Sequence, residues 1–429
     1  MDQEKIALEK KTSGYRWAVF ATVLFTYLLI VSQRTAPGLI TDQLMHEFRI
    51  SASTIGLIAS IQFMAYAALQ IPIGVFSDRF GPNVFLISGA LLDGIGTLIY
   101  SLSPNEGFLL VARLLVGMGD ATIWVNLVLI LSQWFRAQEF ISLLGFAGMS
   151  GSLGFLLATF PYSAWIAVAG WRVPFFTMGV ILCLTGLLLT FVLTILPKRL
   201  FKTQGNYELK KKEKQDVPRE KAGKQLIRLL KTRQAWATFL CHFGLVGTYV
   251  GFIGSWAVPY GMSDYSMTRS QASQLIMIGL VGAIIGAPLS SWLSSRLGSI
   301  KRPYTVVQIL VFLSWALFFL CNGKPPFFLL IILFLLMGFG NGSSSLTFAI
   351  VRQSFPIREV GVVSGFANTG GFLSAVLLPS LFGKVLDLFP HDVQAGYHFG
   401  LIIPLIFSLI GLLGGSLIRE GVQEEGQAY

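Results

Sequence analysis

The chain has 429 residues, 54% hydrophobic and only 12% charged, with a mean hydropathy of +0.68; its charged share is about half that of an average soluble domain, which argues against a water-soluble enzyme. The net charge of +11 does not point to nucleic acid, because 13 Lys/Arg against 4 Asp/Glu fall between Lys198 and Arg233, putting nearly the whole excess in one segment between apolar stretches. Cys183, Cys241 and Cys321 are an odd set, each inside an apolar stretch, so no disulfide framework or zinc spacing is available, and neither a metal nor a cofactor is expected.

Met1 to Arg16 is polar and charged, and the apolar run after it is too long for a signal-peptide core, so the first span is expected to be retained. A helix that crosses a bilayer needs roughly 20 mostly apolar residues. Twelve such stretches follow in order: 16–39, 53–76, 84–104, 107–132, 140–164, 172–196, 234–257, 272–294, 303–322, 326–351, 360–385 and 396–418. The predicted fold class is therefore an all-α membrane protein with twelve transmembrane helices. If the N-terminus is inside, 25 of the 32 Lys/Arg lie on the inner side. Both termini are thus read as cytoplasmic, in a multi-pass protein of a bacterial inner (plasma) membrane.

Three pairs of segments recur at nearly one offset. Ser77-Asp78-Arg79-Phe80-Gly81 after span 2 matches Ser294-Ser295-Arg296-Leu297-Gly298 after span 8, at 217 residues. Gly117-Met118-Gly119-Asp120 in span 4 matches Gly338-Phe339-Gly340-Asn341 in span 10, at 221. Gly145-Phe146-Ala147 in span 5 matches Gly365-Phe366-Ala367 in span 11, at 220. Three matches in one order predict a duplicated transporter fold of two pseudo-symmetric halves. Residues 1–197 and 234–429 would form six-helix bundles joined by the basic linker 198–233. The linker mixes its Lys/Arg with Leu226, Ile227, Leu229 and Leu230; its second part is either an amphipathic helix on the anionic leaflet or a basic tether.

The segment from Gly74 through Asp78, Arg79 and Gly81 to Asn83 closely resembles the loop 2–3 signature of the major facilitator superfamily. Arg113-Leu-Leu-Val-Gly117-Met-Gly119 resembles its helix 4 motif, and Gly170-Trp171-Arg172 resembles its usual start of helix 6. The resemblance covers essentially the whole chain and implies two bundles around a central cavity that opens alternately to each side. It implies a conformational role for Gly74, Asp78, Arg79, Gly81 and Arg113. The signature's usual later basic residues are Pro82 and Asn83 here, and Ser295 replaces the acid in the second copy.

A charge deep in the bilayer is costly, so such residues usually face a cavity, a partner or a pathway. The set is Arg34, Asp93, Arg113, Asp120 and, more weakly, His242. Arg34 is either snorkelling to the outer interface or an anion clamp, since its planar fork matches a carboxylate or phosphate bidentately. Arg34-Thr-Ala-Pro-Gly38 resembles the helix 1 stretch of the anion:cation symporters and organophosphate antiporters, in which an Arg at that place binds substrate. Gln33 stands where those symporters commonly carry Asp, and span 7 lacks the antiporters' second basic residue.

Asp120 lies about 18 Å along span 4 at roughly 1.5 Å per residue, a depth at which burial favours the neutral carboxyl and a proton could be loaded and released. The resemblance implies the same, because an acid at that place is thought to carry the proton in sugar-acid symporters. The other reading is a structural Asp paired with Arg113, seven residues earlier on the same helix face. His242 is either a part-time positive charge in proton coupling or a hydrogen-bonded packing residue. Asp93 reads as a residue with a partner inside the N-terminal bundle or, as the minority view, as a coupling residue.

Gln62, Tyr66 and Gln70 recur every four residues on one stripe of span 2. With Asn126, Asn341, Ser344, Asn368 and Thr369, Gln62 and Tyr66 are the candidate substrate-binding polar groups, although such residues also join helices in lipid. Gly145 and Gly148 in span 5, and Gly282 and Gly286 in span 8, permit close approach. The resemblance implies that these faces form the sliding contact of alternating access, and ordinary bundle packing is the other reading.

These observations predict a secondary active transporter, without a catalytic site, that moves a small organic anion such as a carboxylate or sugar acid with protons. No phosphate loop of the GxxxxGK[ST] type occurs. The expected partners are the solute, protons and the bilayer, for a chain working as a monomer without nucleic acid. An anion exchanger, a proton-driven drug exporter and a non-transporting nutrient receptor are the alternatives.

Overall fold

The computed structural model describes residues 2–50, 52–197 and 222–420. Among these residues there is no β-strand, as expected where lipid offers the backbone no hydrogen-bond partner and each span must satisfy its own amides. Twelve helices are long and apolar enough to cross a membrane. Spans 1 to 6 are Gly14–Arg34, Ser60–Phe80, Pro82–Ser101, Glu106–Trp134, Gln138–Leu157 and Arg172–Ile195. Spans 7 to 12 are Arg233–Ser255, Gln271–Leu297, Lys301–Leu320, Phe327–Ser354, Ile357–Asp387 and Val393–Leu417. Each overlaps the stretch that hydropathy assigns to it.

Helix ends follow local chemistry. Asn105 caps span 4 by accepting a hydrogen bond from the Phe108 amide at 3.3 Å. Thr268 and Gln271 form a reciprocal capping box at the start of the span 8 helix. After span 2 the chain turns at Gly81 with φ +92°, and after span 8 at Gly298 with φ +60°. Only glycine adopts both conformations without a Cβ penalty, so the two copies of the loop signature share a backbone requirement as well as letters.

By compactness the chain forms two units: Met1–Phe135 with Leu157–Lys231, and Arg136–Leu156 with Thr232–Tyr429. This grouping differs in one span from the division expected from the duplication, since most of span 5 falls in the second unit. Within the first unit, small residues bring spans 2, 3 and 4 together. A Cβ on Gly117 would lie 2.4 Å from the Gln62 carbonyl oxygen, and one on Gly119 2.6 Å from that of Gly89. In the second unit Gly338 would meet the Gly279 carbonyl oxygen, and Gly282 and Gly286 the carbonyls of Leu335 and Phe339. Residues 198–221 of the expected linker lie outside the described residues; its end includes a helix, Ala222–Leu230, with Leu229 buried and Ile227 and Leu230 exposed.

Candidate functional site

Three spans of the first unit converge on one carboxylate. Arg34, at the end of span 1, donates from Nε to Asp120 Oδ2 at 3.1 Å and from Nη2 to Asp120 Oδ1 at 3.0 Å. This two-pronged pair is almost wholly out of solvent, with side-chain exposures of 9% and 1%. From span 2, Gln62 donates its amide to Asp120 Oδ2 at 2.9 Å and accepts from Arg113 Nη1 at 2.8 Å. The Tyr66 ring lies 5.1 Å from the Arg34 guanidinium, and Tyr100 lies 4.3 Å from that of Arg113, both suited to cation–π attraction. Arg34, Gln62, Tyr66, Arg113 and Asp120 thus form one cluster.

The pairing answers the alternatives left by spacing. Asp120 is held by Arg34, not Arg113, and Arg113 reaches it only through Gln62. Arg34 does not snorkel. A buried carboxylate needs both a counter-charge and hydrogen bonds, and here Asp120 has a fork on one side and an amide on the other. Sequence reasoning placed Gln62 among polar lining residues but missed its bridging position. Gln33 has a different role: its side-chain oxygen accepts from the Tyr162 hydroxyl at 3.2 Å.

The remaining polar residues divide by unit and by partner. Gln70 donates to the Tyr66 and Ala121 carbonyls, and Asn126 donates to the Thr122 carbonyl of its own helix at 2.6 Å. Asn126 therefore stays outside the cluster. In the second unit, His242 Nδ1 lies 3.3 Å from Thr347 Oγ1, and Nε2 lies 3.2 Å from Asn368 Oδ1. Tyr304 Oη is 2.5 Å from the same Thr347 oxygen. If Tyr304 donates to Thr347, Thr347 to Nδ1 and Nε2 to Asn368, every member is satisfied with a neutral imidazole. That arrangement is the packing reading of His242 and gives its proton-coupling role no support. Thr347 and Tyr304 carried no signal in the sequence, each being one hydroxyl residue among several polar residues of its span.

Thr369 donates back to Gly365. Asn341 is half-buried and Ser344 is buried, beside the break at Ser344–Ser345 that splits span 10 into two helices. Gly145 and Gly148 of span 5 do abut span 8, where their added Cβ atoms would meet Ser291 Oγ and the Ala287 Cβ at 2.8 Å. Gly282 and Gly286 instead face span 10, which corrects the expectation that they line the contact with span 5. The glycines of span 8 lie on a different side of that helix from Ala287 and Ser291. In the loop signature, Gly74 is buried, Asp78 is half-buried and Arg79 is exposed, 5.7 Å from the Phe80 ring.

A further ion pair ties the segment after span 1 to span 6. Glu47 accepts from Arg172 Nη2 at 2.6 Å, from Arg172 Nε at 3.2 Å and from Trp171 Nε1 at 2.8 Å. Partial burial opposes ionisation, but the hydrogen bonds from Arg172 and Trp171 and the Arg172 charge hold the Glu47 carboxyl below the usual range. Arg172 also donates to the Ser101 and Ser103 carbonyls. The Gly-Trp-Arg motif is thereby a structural anchor.

A chain with twelve apolar helices long enough to cross a membrane and a buried Arg–Asp pair among them is a polytopic membrane protein. The model of the Major Facilitator Superfamily matches residues 20–379 and 257–422, and the chain belongs to that superfamily; it is a transporter and not an enzyme. It is 23% identical over 443 residues to the D-galactonate transporter of Escherichia coli O6:H1, covering 97% of this chain and 98% of that one. It is also 23% identical over 451 residues to a probable galactarate/D-glucarate transporter of E. coli K12, covering 96% and 95%. Among solved structures it matches the superfamily transporter FucP in its outward conformation with a TM-score of 0.72 and 16% identity, over 94% of this chain and 99% of that one.

Proposed function

We propose that this transporter moves a small organic anion of the sugar-acid kind together with protons, by alternating access between two six-span halves. The observation that carries the reading is the bidentate Arg34–Asp120 pair. Asp120 presents to Arg34 the same planar carboxylate that a sugar acid would present, so substrate and Asp120 compete for one guanidinium fork. An anion that takes the fork leaves Asp120 buried without its counter-charge, and uptake of a proton by Asp120 removes that cost. One anion and one proton then replace one internal charge, which links the two movements. The relatives named for D-galactonate and for galactarate/D-glucarate support this substrate class. On this reading Tyr66 and Gln62, which contact the pair, would meet substrate oxygens.

The test is uptake of labelled D-galactonate, galactarate and D-glucarate into proteoliposomes under an imposed inward proton gradient. Wild type is expected to accumulate one of them against its gradient. Asp120→Asn is expected to retain only counterflow that ignores the proton gradient, and Arg34→Ala to lose binding. A second reading, anion exchange, is favoured by the completeness of Asp120's pairing with Arg34 and Gln62. One-for-one exchange by wild type with unchanged behaviour of Asp120→Asn would establish exchange and end the symport reading.

A further inference from the structure

Asp93, on span 3, is 1% exposed, and among the described residues neither of its carboxyl oxygens has a hydrogen-bond partner. It packs against the residue next to Asp120: a Cβ on Gly119 would lie 3.1 Å from Asp93 Oδ2 and 2.9 Å from its amide nitrogen. The charged groups whose fields act on it are Asp120 and Arg113 of span 4 and Arg34 of span 1. Next along span 3, a Cβ on Gly94 would meet the Cys183 thiol of span 6 at 2.6 Å. Span 2 brings the neutral Gln62 and Tyr66 toward the same cluster, and Tyr100 of span 3 covers Arg113. Asp93 is thus a buried carboxyl that no donor and no ion pair compensates, beside a second carboxyl that has both.

The charges of this cluster make the state of Asp93 decisive for an anion. Arg34 and Arg113 contribute two positive charges and Asp120 one negative charge. Among the described residues Arg113 is met by Gln62 and the Tyr100 ring, and its Nε and Nη2 are buried without an acceptor. With Asp93 ionised the four groups balance; with Asp93 protonated the cluster holds one net positive charge in a medium where charge is weakly screened. We propose that Asp93 is a second proton-binding site of the transporter, whose protonation admits the anionic substrate and whose ionisation repels it. The step is a proton joining one carboxylate oxygen from water, with no other bond made or broken. By linkage, substrate binding then draws a proton onto Asp93 as strongly as the proton favours substrate. This inference rests on the anion reading above and adds to it a proton that Asp120 does not carry.

Two measurements on the detergent-purified full chain test it. The first is infrared spectroscopy of the ligand-free protein near neutral pH, which distinguishes the carbonyl stretch of a protonated carboxyl from carboxylate bands. The band is expected in wild type and in Asp120→Asn and is expected to be missing from Asp93→Asn; identical spectra for wild type and Asp93→Asn overturn the proposal. The second is the affinity for D-galactonate across pH. Each linked proton changes affinity by up to about tenfold per pH unit. Asp93→Asn, fixed in a neutral form, is expected to keep wild-type affinity within about threefold at acid pH and to lose about one such tenfold dependence at alkaline pH. Equal pH profiles overturn the proposal, as does a loss of affinity of the same size at every pH, which marks a merely structural Asp93. If wild type binds no sugar acid, the substrate reading fails while the infrared result still decides the protonation of Asp93.

Discussion

Arg34 and Asp120, 86 residues apart in the chain, meet through two parallel hydrogen bonds of 3.1 and 3.0 Å. The contact joins the end of span 1 to the middle of span 4 and leaves both side chains almost wholly buried. Removing one member of such a pair leaves an uncompensated charge, at a cost of about 3–5 kcal/mol, whereas replacing both by apolar residues of similar size is nearly neutral. Arg34→Met is therefore expected to lower the thermal midpoint in detergent strongly. The double variant Arg34→Met/Asp120→Leu should recover most of the loss. Equal destabilisation by the single and double variants would show that the pair does not hold spans 1 and 4 together.

Gly338 and Gly279 pack backbone to backbone, and a Cβ on Gly338 would fall 1.8 Å from the Gly279 carbonyl oxygen. No rotamer relieves a clash with main chain, so Gly338→Ala must separate spans 8 and 10 locally. A cost of about 1–3 kcal/mol or more is expected, read as a lowered unfolding midpoint. Gly145→Ala meets the Ser291 side chain first, which has some freedom to move. It should be the milder change, and the order of the two midpoints checks the packing.

The turn after span 2 tests the loop signature at its backbone. Gly81 has φ +92° and ψ 151° with open space around its Cα, so Gly81→Ala is penalised by conformation alone. A cost of about 1–3 kcal/mol is expected for this nearly glycine-only region. Gly298→Ala, in the ordinary left-handed region at φ +60°, should cost about 1–2 kcal/mol. Paired midpoints of the two variants, with circular dichroism to confirm helix content, decide whether the first copy is the more demanding one.

Asp264, between spans 7 and 8, gives a pH dependence with a definite sign. Burial raises its carboxyl from 3.8 to about 6 despite the opposing charge of Lys324, and among the described residues neither oxygen has a hydrogen-bond partner. Between those values the folded protein holds a proton that the unfolded chain releases. The contribution is therefore full below the lower value and lost as pH rises through the upper one. Asp264→Asn, which keeps the neutral form, should match wild type near about pH 4 and unfold at a higher temperature near about pH 8. A variant equally or less stable than wild type at alkaline pH would refute this.

Composition and hydropathy were enough to establish twelve spans, because in lipid a segment of sufficient apolar length has little choice but to form a helix. Local chemistry was equally legible at Gly81 and Gly298, where a backbone conformation demands a residue type, and at Arg34 and Asp120, whose charge is too costly at depth to be incidental. Partners were not legible. A spacing of seven puts Arg113 and Asp120 on one face of span 4, but which guanidinium reaches the carboxylate depends on how spans 1 and 2 are rotated against that face. Only the tertiary structure decided that Arg34 takes Asp120, that Gln62 bridges to Arg113, and that Asp93 is left without a donor. The same holds for Gly282 and Gly286, which periodicity marks as a close-packing face without saying that span 10 fills it. Sequence specifies each helix through interactions within a few residues, whereas side chains 50 to 130 positions apart meet only once the helices have packed.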